Sequence, residues 1–321
     1  MELNPTLRFY DDYYSRFLYT DTRPFPIPDA GCMIYAKGVY GIYKVTFNGI
    51  PVIVKILPTR LLRQEILIGL YLRAYAESIP NFVFIRDLHL GPSPNIVFEH
   101  LPQLKDPGCK PDLDPKKIFD MENTHLYMFT EACTGNLIQY INRVKKLTYP
   151  ETVGYSFQLV AALYILQSLG IHHNDLSNRN VVICKMEAPY DYLVYQYNDI
   201  KWIIPGNEIQ YNYLKIIDLG EATLRIHQTQ TQTQTQTQTQ TQCQDYHIDV
   251  SHAVKFIIDP MIRNTDGINP NDLEELKTVL LNCRGNLLDN ISNLKIFTRY
   301  QNQQIPPDAN VAVKTVDLNL Q

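Results

Sequence analysis

Two short stretches carry side chains able to handle a phosphate and a divalent cation together. The run His173-Asn174-Asp175-Leu176-Ser177-Asn178-Arg179-Asn180 supplies a carboxylate at Asp175 and an amide at Asn180. Asp218-Leu219-Gly220 follows 38 positions after Asn180, at the end of the apolar run Leu214 to Ile217. A potential base, an amide ligand and a second carboxylate thus occur in the order that a metal–phosphate site needs. Asn180 and Asp218 offer hard oxygen ligands, which suits Mg2+, an ion that keeps several waters and takes only one or two carboxylates. Singly each fragment is weak, since an isolated Asp-Leu-Gly is most often a turn.

Together these residues resemble the catalytic and metal-binding loops of the eukaryotic protein kinases, whose ordered signature is H-R-D-L-x-x-x-N and then D-F-G. Here Asn174 stands in place of the usual Arg and Leu219 in place of the usual Phe. The resemblance implies phosphoryl transfer from ATP with Mg2+, with Asp175 accepting or orienting the hydroxyl proton and with Asn180 and Asp218 on the metal. Arg179 has two readings: it stabilises the transferring phosphate, or it forms a structural ion pair.

An upstream nucleotide-binding lobe must position such chemistry. Ala36-Lys37-Gly38-Val39-Tyr40-Gly41-Ile42-Tyr43 follows the spacing of the kinase phosphate-covering loop, with Ala36 at the first glycine position and Gly38 and Gly41 at the others. Val45-Thr46-Phe47, Asn48-Gly49 and Val52 to Leu57 then read as a strand, a tight turn and a second strand. Lys55 lies among apolar neighbours in that second strand, and a buried ammonium wants an anion. An exposed edge-strand lysine is the plain alternative. Downstream, Leu61, Ile68 and Leu72 form an apolar helical stripe with Glu65 on the same inward face. Glu65 can therefore meet Lys55, and the matching kinase pair holds the lysine against the nucleotide phosphates.

The resemblance extends further along the chain. Glu131-Ala132-Cys133 looks like the kinase hinge, which implies adenine contacts from the backbones of Glu131 and Cys133, with Thr130 as gatekeeper. At the nucleotide roof the family pattern has Val and Ala where this chain has Tyr43 and Ile53. Thr148-Tyr149-Pro150-Glu151 reads as a capping box opening a helix whose apolar face includes Val153, Phe157, Val160 and Tyr164 and which stops near Gly170. Asp249 is expected to buttress the catalytic loop, as an aspartate of the following helix does in kinases.

Several features depart from the family. Seven Thr-Gln pairs fill Thr229 to Gln242, an uncharged tract too poor in apolar groups to offset its ordering entropy, so a disordered loop is expected. No A-P-E-like tripeptide follows it. The stretch Cys184 to Tyr213 reads as an insertion holding an extra hairpin, and proline-rich Gly91 to Pro115 reads as a surface loop. Departures on this scale are similar to those of the divergent kinases of large DNA viruses.

Composition bounds the class. The formal net charge of -4 gives no global reason to expect nucleic acid or a membrane surface as partner. No run reaches the roughly 18 apolar residues of a membrane span, and Met1-Glu2-Leu3-Asn4 is not the start of a secretory signal. The six cysteines are dispersed without a C-x-x-C pair and read as reduced thiols of the cytoplasm, the host cytoplasm if the protein is viral.

The expected architecture is an α+β, two-lobed protein-kinase-like fold. An N-terminal extension covers 1–30. A small lobe at 31–133 holds an antiparallel sheet plus one helix, and a mainly helical large lobe covers 134–321. The implied function is ATP-dependent phosphorylation of a protein hydroxyl, with serine/threonine favoured over tyrosine by the family's base rate alone. A pseudokinase scaffold and a small-molecule kinase are the alternatives.

Overall fold

The computed structural model describes residues 28–37, 40–58, 63–91, 125–186, 188–224, 247–267, 270–283, 285–306 and 311–320. Gly38, Leu61, most of the proline-rich loop and the Thr-Gln tract lie outside the described residues, as does nearly all of the N-terminal extension. The fold is α+β with mainly antiparallel sheets. The chain divides into two compact units, 1–74 with 83–132, and 75–82 with 133–321.

The first unit is built on a five-stranded antiparallel sheet in the order β1-β2-β3-β5-β4. Its strands are β1 (Ala30–Lys37), β2 (Tyr40–Phe47), β3 (Ile50–Pro58), β4 (Ile85–Gly91) and β5 (His125–Glu131). Asn48 and Gly49 both take positive φ, 51° and 77°, and turn β2 into β3. That Asn-Gly pair suits a two-residue hairpin whose central positions need left-handed backbone. Alternation along the strands puts Tyr43, Val45, Val54, Ile56, Tyr127 and Phe129 on one face, where they form a buried cluster. One helix, α1 (Arg63–Ala76), carries Ile68 and Leu72 into the core, both nearly fully buried.

The second unit opens with β6 (Gly135–Asn136) and α2 (Leu137–Val144), then α3 (Tyr149–Ser168). Thr148 caps α3 in a reciprocal capping box with Glu151, and Pro150 sits in the first turn, where its missing N–H costs nothing. Residues 151–166 of α3 are buried on every side, so α3 is a central core helix rather than one with a single apolar face. Gly170, at φ 71°, ends this stretch in a conformation other residues adopt only with strain.

The rest of the unit is more strand-rich than composition alone indicates. β7 (Ile171–His172) pairs β12 (Thr223–Leu224), and β8 (Val181–Lys185) lies between β6 and β11 (Asn212–Ile216). Within residues 184–213, β9 (Tyr192–Tyr197) and β10 (Ile200–Pro205) form the expected hairpin. The C-terminal strand β13 (Val313–Asp317) joins it parallel to β9, a pairing across more than a hundred residues that no local pattern announces. Helical residues 247–253 run into a π-helical turn at Val254–Ile258 and then α4 (Asp259–Arg263), followed by α5 (Pro270–Leu281), α6 (Leu287–Ile291) and α7 (Lys295–Gln301). Trp202, Phe157, Tyr195 and Phe297 pack ring against ring at the centre of this unit, with centroids 5.1–5.3 Å from Phe157.

The expectation of six free thiols is corrected for one pair, because Cys133 and Cys184 are joined as a disulfide with their Cα atoms 4.4 Å apart. The cause is topological. Gly135 pairs with Ile183 and Asn136 with Val182, which lays Cys133 beside β8. Among the described residues no helix is long and apolar enough to cross a membrane.

Candidate functional site

In the first unit, Lys55 and Glu65 meet. Lys55 Nζ donates to both carboxylate oxygens of Glu65, at 2.9 and 2.7 Å. The side chains retain 15% and 9% of their exposure, so each charge would be expensive to leave unpaired there. Strand register sets the face on which Lys55 lies. Lys55 pairs with Ile42 on β2 and Met128 on β5, which share its face, as does Ile53, opposite Thr130.

Tyr43 departs from expectation. It pairs with Val54, lies on the face opposite Lys55 and Ile53, and is buried in the apolar cluster, where burial pushes its phenol well above the ordinary tyrosine range. Counting from the glycines assigns Tyr43 to the face of Lys55; the observed register puts Ile42 there instead. A step of one residue along a strand reverses the face. Part of the signal lies in the sequence, since Tyr43, Val45 and Phe47 alternate with the polar Lys44 and Thr46, although the apolar Ile42 blurs the pattern at its start.

Ala36 and Gly41 pair with each other near the end of the β1–β2 ladder, and Gly38 lies outside the described residues. Glu131 ends β5 opposite Val52. Cys133 follows in the second unit, its sulfur committed to Cys184.

The second unit joins Asp175 and Asn180 by hydrogen bonds and ties Asn180 to the backbone just before Asp218. Asn180 Nδ2 donates to the Asp175 carbonyl at 2.8 Å and to Asp175 Oδ2 at 2.9 Å. Its amide nitrogen is thereby turned to the carboxylate, which leaves Oδ1 as the acceptor for a cation. The loop closes further through the Asp175 amide to His173 O, 2.8 Å, and the Asn180 amide to Ser177 O, 3.0 Å. Asp218 is placed by its neighbour: the Ile217 amide donates to Asn180 O at 3.0 Å, and His173 Nε2 donates to Ile217 O at 2.9 Å.

Asp249 anchors the whole loop from the helical stretch 247–253. Its Oδ2 accepts from the His173 amide at 2.7 Å and its Oδ1 from the Asn174 amide at 2.9 Å, while the residue is almost fully buried. Two non-glycine residues here hold left-handed backbone, Asn174 at φ 63° and Asp218 at φ 64°. Such conformations cost about 1 kcal/mol or more and persist only where surroundings over-determine them, as at functional loops. Asn174 Nδ2 also donates to Glu221 O at 2.9 Å and Thr223 Oγ1 at 3.1 Å. Arg179 is exposed, and no described residue forms an ion pair with it.

Among the described residues no group of three or more His, Cys, Asp or Glu side chains is arranged to hold a metal ion. An amide and one carboxylate are a smaller donor set, of the kind that Mg2+ completes with water and phosphate oxygens. No protein-family model matches this chain, and no curated protein matches it either.

Proposed function

We propose that the chain is a divergent protein kinase that transfers the γ-phosphate of ATP to a protein hydroxyl, its two units being the small and large lobes of a protein-kinase-like fold. The observation that carries this reading is the assembly around Asp175. One buried carboxylate, Asp249, holds two successive loop amides, and the same loop fixes Asp175, Asn180 and the backbone leading into Asp218. Such over-determined placing of a base beside hard oxygen donors is what phosphoryl transfer asks of a protein, since its catalysis is almost entirely positioning and electrostatics.

Asp175 would orient the acceptor hydroxyl and take its proton. Asn180 Oδ1 and the Asp218 carboxylate would hold Mg2+, which when bound neutralises charge on the phosphate oxygens. Lys55, kept in place by Glu65, would hold the phosphates, and Ile42 and Ile53 would face the base. Arg179, with no described ion partner, is left available to the transferring phosphate. Nothing in these residues selects serine or threonine over tyrosine, and that preference rests on base rate.

The test is Mg2+-dependent transfer of labelled phosphate from ATP to a mixed protein acceptor, or to the chain itself, by purified protein. Transfer that Asp175→Asn abolishes supports the reading. If the wild-type chain binds ATP or a partner but transfers nothing with any divalent ion, the kinase reading falls and a binding scaffold replaces it.

A further inference from the structure

The backbone that enters the second unit is held against β8 by very little. The Thr134 amide donates to Ile183 O at 2.9 Å, and the ladder beyond it consists of Gly135 with Ile183 and Asn136 with Val182. At this place the structure adds a covalent bond between Cys133 and Cys184, closing a loop across 51 positions. That loop contains α2, α3 and the whole stretch His173 to Asn180, including Asp175. The two sulfurs differ in access: Cys184 is only 4% exposed, whereas Cys133 is half-buried.

We propose that Cys133 and Cys184 are a reversible redox modification site, exchanging with small-molecule thiols and disulfides of the glutathione class. In the oxidising direction the Cys133 thiol gives its proton to solvent and attacks one sulfur of the small disulfide. A Cys133 mixed disulfide forms, and one small thiolate leaves. Cys184, deprotonated in turn, attacks the Cys133 sulfur, forms the protein disulfide and releases the second small thiolate. Two protein thiols lose two electrons and two protons, and one small disulfide becomes two thiols. The reverse starts with a small thiolate at Cys133, because exchange needs access to the attacked sulfur and Cys184 is shielded.

The closed bond does two things. It restricts the unfolded chain, which raises the stability of the second unit, and it reinforces the short β6–β8 ladder that leads into the segment of the proposed hinge. The reduced form keeps the ladder and loses the clip. These effects are read without any phosphate transfer, so the proposal and the kinase reading fail separately.

The experiment equilibrates the purified full-length chain in buffers stepped from reduced to oxidised glutathione, quenches by alkylation and maps peptides by mass spectrometry. The expected result is a Cys133–Cys184 cross-linked peptide that appears on oxidation and disappears on return to reduced glutathione with the protein still folded. The melting temperature should rise by several degrees in the oxidised form, and the Thr134 amide should exchange about fivefold or more slowly. Cys133→Ser should abolish both responses and Cys283→Ser neither. Should Cys184→Ser fail to fold, Cys133→Ser and wild-type mapping suffice. Free alkylation of both cysteines in oxidised buffer would overturn the proposal. So would a bond that survives excess reduced glutathione in the native protein, or a stability response that persists in Cys133→Ser.

Discussion

Replacing Asp249 tests the keystone of the His173–Asn180 loop, because its carboxylate is the shared acceptor for the amides of His173 and Asn174, at 2.7 and 2.9 Å. Hydrogen bonds to a charged acceptor contribute about 1.5–3 kcal/mol each, net of water. The two bonds do not weigh equally. His173 is fully buried and its amide would stay unsatisfied, while Asn174 is exposed and water would recover part of its bond. Asp249→Ala should therefore destabilise the second unit by about 3 kcal/mol. Asp249→Asn keeps one acceptor but points an amide donor at the other N–H, and should cost about 2 kcal/mol. For a unit of roughly 200 residues, about 3 kcal/mol lowers the midpoint by ~6–12 °C. Trp202, the chain's single tryptophan, is buried in this unit, so its fluorescence in a denaturant titration reports the relevant transition. A stability loss under about 0.5 kcal/mol for Asp249→Ala, within the spread of ordinary surface substitutions, would refute the claim that Asp249 holds the loop.

Lys55→Met should lower phosphate transfer at least ~100-fold, the usual loss for one preorganised electrostatic contact, while far-UV circular dichroism stays unchanged. Retained turnover would remove Lys55 from the phosphates. Asp218→Asn should raise the Mg2+ concentration needed for ATP binding, whereas Asp175→Asn should leave binding intact and slow only chemistry; ATP titrations at graded Mg2+ decide this, and equal affinity losses would contradict the assignment. Asn81→Ala should destabilise the second unit by about 3 kcal/mol, since it strands the Tyr195 hydroxyl and part of the Gln158 and Leu214 network, again read by Trp202 fluorescence. Replacing Thr229 to Gln242 with a short Gly-Ser linker should leave melting temperature and turnover within about twofold, because loop length adds little closure entropy; a selective loss of turnover would instead make the tract part of the acceptor site.

What the sequence reveals here depends on the range of the force involved. Lys55 and Glu65 are readable because each is a charge on an apolar stripe, and the cost of leaving such a charge unpaired is local information. The Thr148–Glu151 capping box is readable for the same reason. Asp249 was placed only through the kinase resemblance, because nothing within its helix tells of amides 75 and 76 positions upstream. Asn81 gave no signal at all. It is fully buried and makes its bonds to Gln158, Leu214 and Tyr195, all distant in sequence. The Cys133–Cys184 bond and the β9–β13 pairing were missed likewise, since both follow from which strands become neighbours. Tyr43 is a different case, because counting from the glycines assigns it one face while its pairing with Val54 gives it the other.

Strand register is also what makes the candidate metal ligands a pair. β8 and β11 align Val181 with Ile216, so the residue before β8, Asn180, and the residues after β11, Ile217 and Asp218, leave the same end of one antiparallel ladder. The bond from the Ile217 amide to Asn180 O continues that ladder by one rung before the chain turns left-handed at Asp218. The alignment is held by the core: Ile183 and Leu214 are fully buried opposite each other, and Gln158 on α3 fixes β11 by accepting from the Leu214 amide at 2.9 Å. A slip of one residue would exchange the two buried faces of β11 and carry Asp218 away from Asn180 at once. The spacing of donor oxygens is therefore set by apolar packing several residues away. It follows that substitutions at Gln158, Ile183 or Leu214 should alter the spacing of Asn180 and Asp218 as well as stability.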